Sequence, residues 1–104
     1  EEWLDKLNHY LFVNYNYLKN YFKEHLPQFP VIRLEGTYLV WIDCSVLKLS
    51  SKEIVKILLK KGKIRVNEGN LYGEAGDGFI RINIACPRRT LIDGLNRIRR
   101  ALSN

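Results

Sequence analysis

The sequence predicts an α+β fold: a small, mainly antiparallel sheet with helices packed on one face, preceded by a long N-terminal helix. Three observations carry this. Apolar residues at helical spacing run from Glu2 to Leu26. Phe79 to Ala85 alternates strictly. A second helical stripe, Leu91, Leu95, Ile98 and Leu102, closes the chain. A length of 104 residues suits a single domain, in which we expect a connecting helix over 1–30 and an α+β core over 31–104.

The first helix is marked by Leu4, Leu7, Leu11, Leu18 and Phe22, and Pro27 and Pro30 end it. Trp3, Tyr10, Phe12, Val13, Tyr15, Tyr17 and Tyr21 add apolar surface around its circumference. A surface helix needs only one apolar stripe, so a helix apolar on several sides is expected to be covered on several sides. The domain is too small to cover it alone, and we expect part of this helix to pack on protein outside the chain. The absence of methionine, with Glu1 leading straight into a helical pattern, fits a trimmed or disordered tag or, as the sharper expectation, a chain cut from something longer.

Val31–Leu34 reads as a short strand, Glu35-Gly36-Thr37 as a turn and Tyr38–Cys44 as a second strand rich in β-formers. Ser50 and Glu53 have the spacing of a capping box and open a helix. Ile54, Ile57, Leu58 and Lys61 line one of its sides, and Gly62 is placed to stop it. Ile64-Arg65-Val66 is expected to be a third strand. A glycine-rich loop from Asn67 to Gly78 leads into the fourth, where Ile80, Ile82 and Ile84 point one way and Phe79, Arg81 and Asn83 the other.

The net charge is +6, which permits an anionic partner without requiring one. Lys60, Lys61, Lys63 and Arg65 form one basic group, Arg88 with Arg89 a second, and Arg97 with Arg99 and Arg100 a third. They leave open a basic module that binds RNA or another anionic surface, although no interleaved aromatics mark the strands. No apolar run is long enough to span a bilayer. Cys44 and Cys86 stand apart, without the spacing of a zinc site or a disulfide framework, which suits a cytoplasmic protein. His9 and His25 have no acidic cluster near them in sequence, so no metal is expected. The loop Gly73–Gly78 lacks the Lys-Ser/Thr end of a P-loop, and Glu74 and Asp77 would repel a phosphate. No nucleophile–base pair can be assembled, so the chain is not expected to be an enzyme by itself.

Arg81 stands out as a cation in the middle of a strand. It is either a solvated position on an open sheet face or a planar fork that grips a carboxylate or phosphate bidentately from a rigid mount.

Two segments carry a family resemblance. Glu35-Gly36-Thr37-Tyr38-Leu39-Val40-Trp41-Ile42-Asp43 resembles the E-G-T-Y-L-x-W-x-D segment of fold-type-I pyridoxal-phosphate-dependent aminotransferases, most closely their cystathionine β-lyase-like (MalY/PatB) branch. Asn67-Glu68-Gly69, Tyr72-Gly73, Gly76, Gly78-Phe79 and Arg81 to Arg88 are similar to a second segment of that branch, in the same order and spacing. The resemblance covers only the C-terminal small domain of such an enzyme. It implies that Arg81 binds the α-carboxylate of an amino-acid substrate and that Tyr38 lines the pocket mouth. It places the Schiff-base lysine, the other cofactor ligands and the catalytic residues in a large domain outside this chain. Pyridoxal 5'-phosphate is therefore expected in a full-length homodimer and not on the fragment, which is expected to be inactive. Neither nucleic acid nor membrane is an expected partner.

Overall fold

The structure is a computed structural model that describes residues 2–33, 38–68 and 78–103. Helix α1 spans Glu2–His25, strand β1 Val31–Arg33, strand β2 Leu39–Asp43, helix α2 Ser51–Lys61, strand β3 Asn67–Glu68, strand β4 Phe79–Asn83 and helix α3 Arg88–Leu102. A single 3₁₀ turn, Ser45–Leu47, follows β2. The four strands form one sheet in the order β1-β2-β4-β3, and every pairing is antiparallel. The expected α+β architecture is what the chain adopts. The turn at Glu35–Thr37 and most of the glycine-rich loop lie outside the described residues.

Val40 and Ile42 of β2, with Ile80 and Ile84 on and just after β4, are fully buried and face the helices. Against them pack Leu18, Phe22, Leu26, Phe29, Ile54, Leu58, Leu91, Leu95 and Ile98 in one continuous core. The C-terminal half of α1 thus shares the core of the sheet. Its N-terminal half leaves Leu7 at 39% and Phe12 at 56% exposure.

Ser50 caps α2 through a complete capping box with Glu53, as the spacing predicts. Gly62 does end the helix, yet its backbone is right-handed there, and Lys63 takes the left-handed position at φ +56°. Glycine is needed at 62 for a different reason. A Cβ there would lie 2.7 Å from the carbonyl oxygen of Arg97 on α3. The same crowding explains why Ala101, rather than Leu102, completes the buried stripe of α3, since its Cβ lies 3.3 Å from that position.

The third strand is not where the β-formers predict it. Residues 64–66 are irregular, and pairing is confined to Asn67–Glu68. The turn after α2 claims this segment: the Ile64 N–H donates to the Leu58 carbonyl at 3.2 Å, and the Ile64 side chain packs toward Gly94 of α3. Ile64 therefore faces the helices rather than joining a sheet edge.

Candidate functional site

Arg81 is the middle residue of β4, an inner strand of the sheet. Strand register fixes its neighbours. Trp41 stands opposite on β2 and Asn67 opposite on β3, while Ile32 on β1 continues the same rung beyond Trp41. Residues opposite one another in an antiparallel sheet share a face. Arg81 is therefore on the side away from the isoleucines, as alternation predicts. That side is not simply open to water. Arg81 is half-buried and Trp41 is buried to 8% exposure, with the Phe79 ring packed edge-on to Trp41 at 6.1 Å between centroids.

β4 is tied down at both ends by groups outside the sheet. At its start, the buried Ser51 hydroxyl of α2 accepts hydrogen bonds from the N–H groups of Gly78 (2.8 Å) and Phe79 (3.1 Å). The Gly78 carbonyl accepts from the Cys44 N–H at 2.9 Å. Gly78 sits at φ +87°, a conformation that favours glycine. At the far end, the fully buried Asn14 of α1 donates its amide to the carbonyls of Ile84 (2.9 Å) and Cys86 (3.0 Å). Arg88 Nε donates in turn to Asn14 Oδ1 at 2.6 Å. Tyr10, one turn earlier on α1, donates its hydroxyl to the Cys86 carbonyl, and the Arg88 guanidinium lies 5.7 Å from the centre of its ring.

Tyr38 precedes β2 and is 53% exposed. Its carbonyl accepts from the Ile84 N–H at 2.9 Å. That bond places Tyr38 opposite Ile84, three positions along β4 from Arg81, or roughly 10 Å at strand rise. By the same rule of shared faces, Tyr38 goes with Ile84, on the side of the sheet away from Arg81, so the register does not bring the two side chains together. Arg81 also borders a groove of about 470 Å³ whose walls include Ile64, Val66, Ile82, Leu91 and Gly94. Ile64 and Val66 precede β3, Ile82 is on β4, and Leu91 and Gly94 are on α3, so the groove lies toward the helices and is distinct from the face marked by Trp41 and Ile32.

Two of the arginines act inside the fold. Arg97 pairs with Asp93 at 2.9 Å and donates to the carbonyls of Gly62 and Lys63, closing the end of α2. Arg88 is held by Asn14. Cys44 is fully buried, and burial, reinforced by the Asp43 carboxylate beside it, pushes its thiol up to about 12. Burial also pushes the Cys86 thiol up. Both effects suppress thiolate and argue against reactive cysteines. Among the described residues no three His, Cys, Asp or Glu side chains group as metal ligands would, and no helix is long and apolar enough to cross a membrane.

No protein-family model matches the chain. Curated relatives do. The chain is 41% identical over 101 residues to cystathionine β-lyase PatB of Bacillus subtilis, a match covering 97% of this chain and 26% of that protein. It is 34% identical to MalY of Escherichia coli, over 89% of this chain and 24% of that one. The chain belongs to the MalY/PatB family. Among solved structures, cystalysin from Treponema denticola, which contains pyridoxal 5'-phosphate, superposes on 99% of this MalY/PatB-family chain with a TM-score of 0.90 and 34% identity. The fold is that of the aminotransferase C-terminal small domain. The chain spans about a quarter of the length of these relatives.

Sequence reasoning singled out Arg81 and missed the residues that hold its strand. Asn14 left a usable signal: it occupies a core position of the α1 stripe, between Leu11 and Leu18, where a polar residue needs internal partners. Ser51 left none, because beside Ser50 it reads as part of the cap.

Proposed function

We propose that this chain is the substrate-carboxylate-binding small domain of a pyridoxal-phosphate-dependent enzyme that acts on amino acids, either an aminotransferase or a carbon–sulfur β-lyase. Arg81 is the carboxylate clamp and Tyr38 a residue of the pocket mouth. The observation that carries the reading is the mounting of Arg81: a half-buried guanidinium at the centre of an inner strand, with both ends of that strand fixed by buried hydrogen bonds. Such a mount suits a bidentate, charge-assisted contact, whose strength depends on keeping two parallel N–H···O bonds in line.

The residues present fit the substrate side of such a site. The rung of Arg81 carries Trp41 and Ile32 beside it. In this reading the groups that hold the cofactor lie outside this chain, in the larger part of the relatives that it does not span, within an assembly of two copies. When bound, pyridoxal phosphate supplies the electron sink that stabilises a carbanion at the substrate's α-carbon. Arg81 holds the carboxylate, which fixes the rotation of the α-carbon and hence which of its bonds is weakened. Partial burial strengthens the ion pair relative to water, and nearness to Trp41 limits the space that water can occupy.

The test is Arg81→Lys in the full-length protein. Lysine keeps the charge and loses the planar fork. The expected loss is about 2–4 kcal/mol of transition-state binding, or roughly thirty- to a thousandfold in kcat/KM, with the absorbance of the bound cofactor retained. Unchanged efficiency removes Arg81 from this role.

A further inference from the structure

We propose that Asn14 is a positioning residue for Arg81, acting through the end of β4. The inference rests on the reading of Arg81 as the carboxylate clamp and extends it to a residue far from it in sequence.

β4 ends at Asn83, and past Ile84 the backbone leaves the sheet and turns into α3. The carbonyls that leave the sheet there still need donors. Asn14 supplies them to Ile84 and Cys86 from a fully buried position on α1. The Ile84 N–H meanwhile holds the Tyr38 carbonyl. Ile84 is thus fixed from both sides, three residues along the strand from Arg81. The third polar link of Asn14, its Oδ1, is occupied by Arg88 Nε at 2.6 Å, which fixes the orientation of the amide and directs its two donors at the carbonyls. Tyr10 adds a second α1 contact to the Cys86 carbonyl.

A leucine at 14 would continue the Leu11–Leu18 stripe and bury more apolar surface. The side chain present instead ties a helix to the last turn of one strand. Because α1 packs on α3 and also meets the β4–α3 junction, Asn14 gives a displacement of α1 a directional path to the end of β4, beside the apolar contacts of the shared core. Misplacement of a substrate-binding group by about 1 Å is enough to cost catalysis on the order of a hundredfold.

The experiment is a double-mutant cycle in the full-length, cofactor-loaded protein, with L-cystathionine as the probe substrate. Asn14→Ala is expected to lower kcat/KM about ten- to a hundredfold, mainly through KM. In the Arg81→Lys background the same substitution is expected to cost less than about twofold, because the contact it positions is already lost. An equal loss in both backgrounds overturns the positioning role while leaving the clamp intact. An unaltered kcat/KM for Asn14→Ala also overturns it. A neutral Arg81→Lys instead overturns the clamp, and the positioning role falls with it. Tyr10→Phe keeps the ring and removes one hydroxyl, so it reads the same coupling if Asn14→Ala does not fold. Its expected loss is smaller, about two- to fivefold, and it too should vanish beside Arg81→Lys. Persistence of that loss there sinks the proposal.

Discussion

Gly62 and Arg97 meet backbone to backbone. A methyl group on Gly62 would lie 2.7 Å from the Arg97 carbonyl oxygen and 3.0 Å from that of Leu58. The backbone of Gly62 is right-handed, so alanine would be conformationally welcome and would gain about 0.5–1 kcal/mol of chain entropy. Steric cost outweighs that gain, because the facing atom is backbone and cannot rotate away. Overpacking of this kind costs about 1–3 kcal/mol. Gly62→Ala is therefore expected to lower Tm by several degrees, measured by thermal unfolding, and an unchanged or raised Tm would show that α2 and α3 separate without penalty.

The adjacent serines of α2 do different work. Ser50 caps an exposed helix end, and its replacement by alanine is expected to cost about 1 kcal/mol. Ser51 is buried and serves the amides of both Gly78 and Phe79. Ser51→Ala leaves two N–H groups without their acceptor, at about 1–3 kcal/mol for each that water cannot reach. The larger loss is expected from Ser51→Ala, together with faster amide exchange at Gly78 and Phe79. Equal losses from the two variants would contradict the anchoring of β4 by α2.

Cys44 makes stability fall in alkali. Its thiol is held up at about 12 in the fold, above the ordinary value of 9.0. Between these values the unfolded chain has released the proton and the folded chain retains it. Fewer protons on the unfolded state means stability declines as pH rises, by up to about 1.4 kcal/mol per pH unit in that window. Below about pH 9 the group contributes no slope. Cys44→Ala is expected to flatten the decline between pH 9 and 12 in denaturant titrations. In the native protein at pH 8, the half-exposed Cys86 is expected to be alkylated well before Cys44, which mass spectrometry of the peptides would read directly.

How far the sequence reveals this fold depends on which neighbours decide each element. The Ser50–Glu53 cap and the isoleucine alternation of β4 are local, and both appear in the structure as the residues predict. Ile64–Val66 has the composition of a strand, but tertiary contacts with α2 and α3 outweigh it. Gly62 is placed correctly for a reason that only α3 supplies. The same division applies to the candidate site. Arg81 is visible because a cation in mid-strand is unusual at that position. The groups that hold its strand are distant in sequence, Ser51 from Phe79 and Asn14 from Ile84, and no periodicity connects them.

The stretch from Gly78 to Arg88 consequently behaves as a ruler. Its marks are the glycine that α2 grips at one end and the arginine that α1 receives at the other. Adding or deleting a single residue between them would rotate every later side chain to the opposite surface of the pleat, sending an isoleucine outward and the guanidinium toward the interior. Length variation among proteins that share this arrangement has to be accommodated elsewhere along the chain.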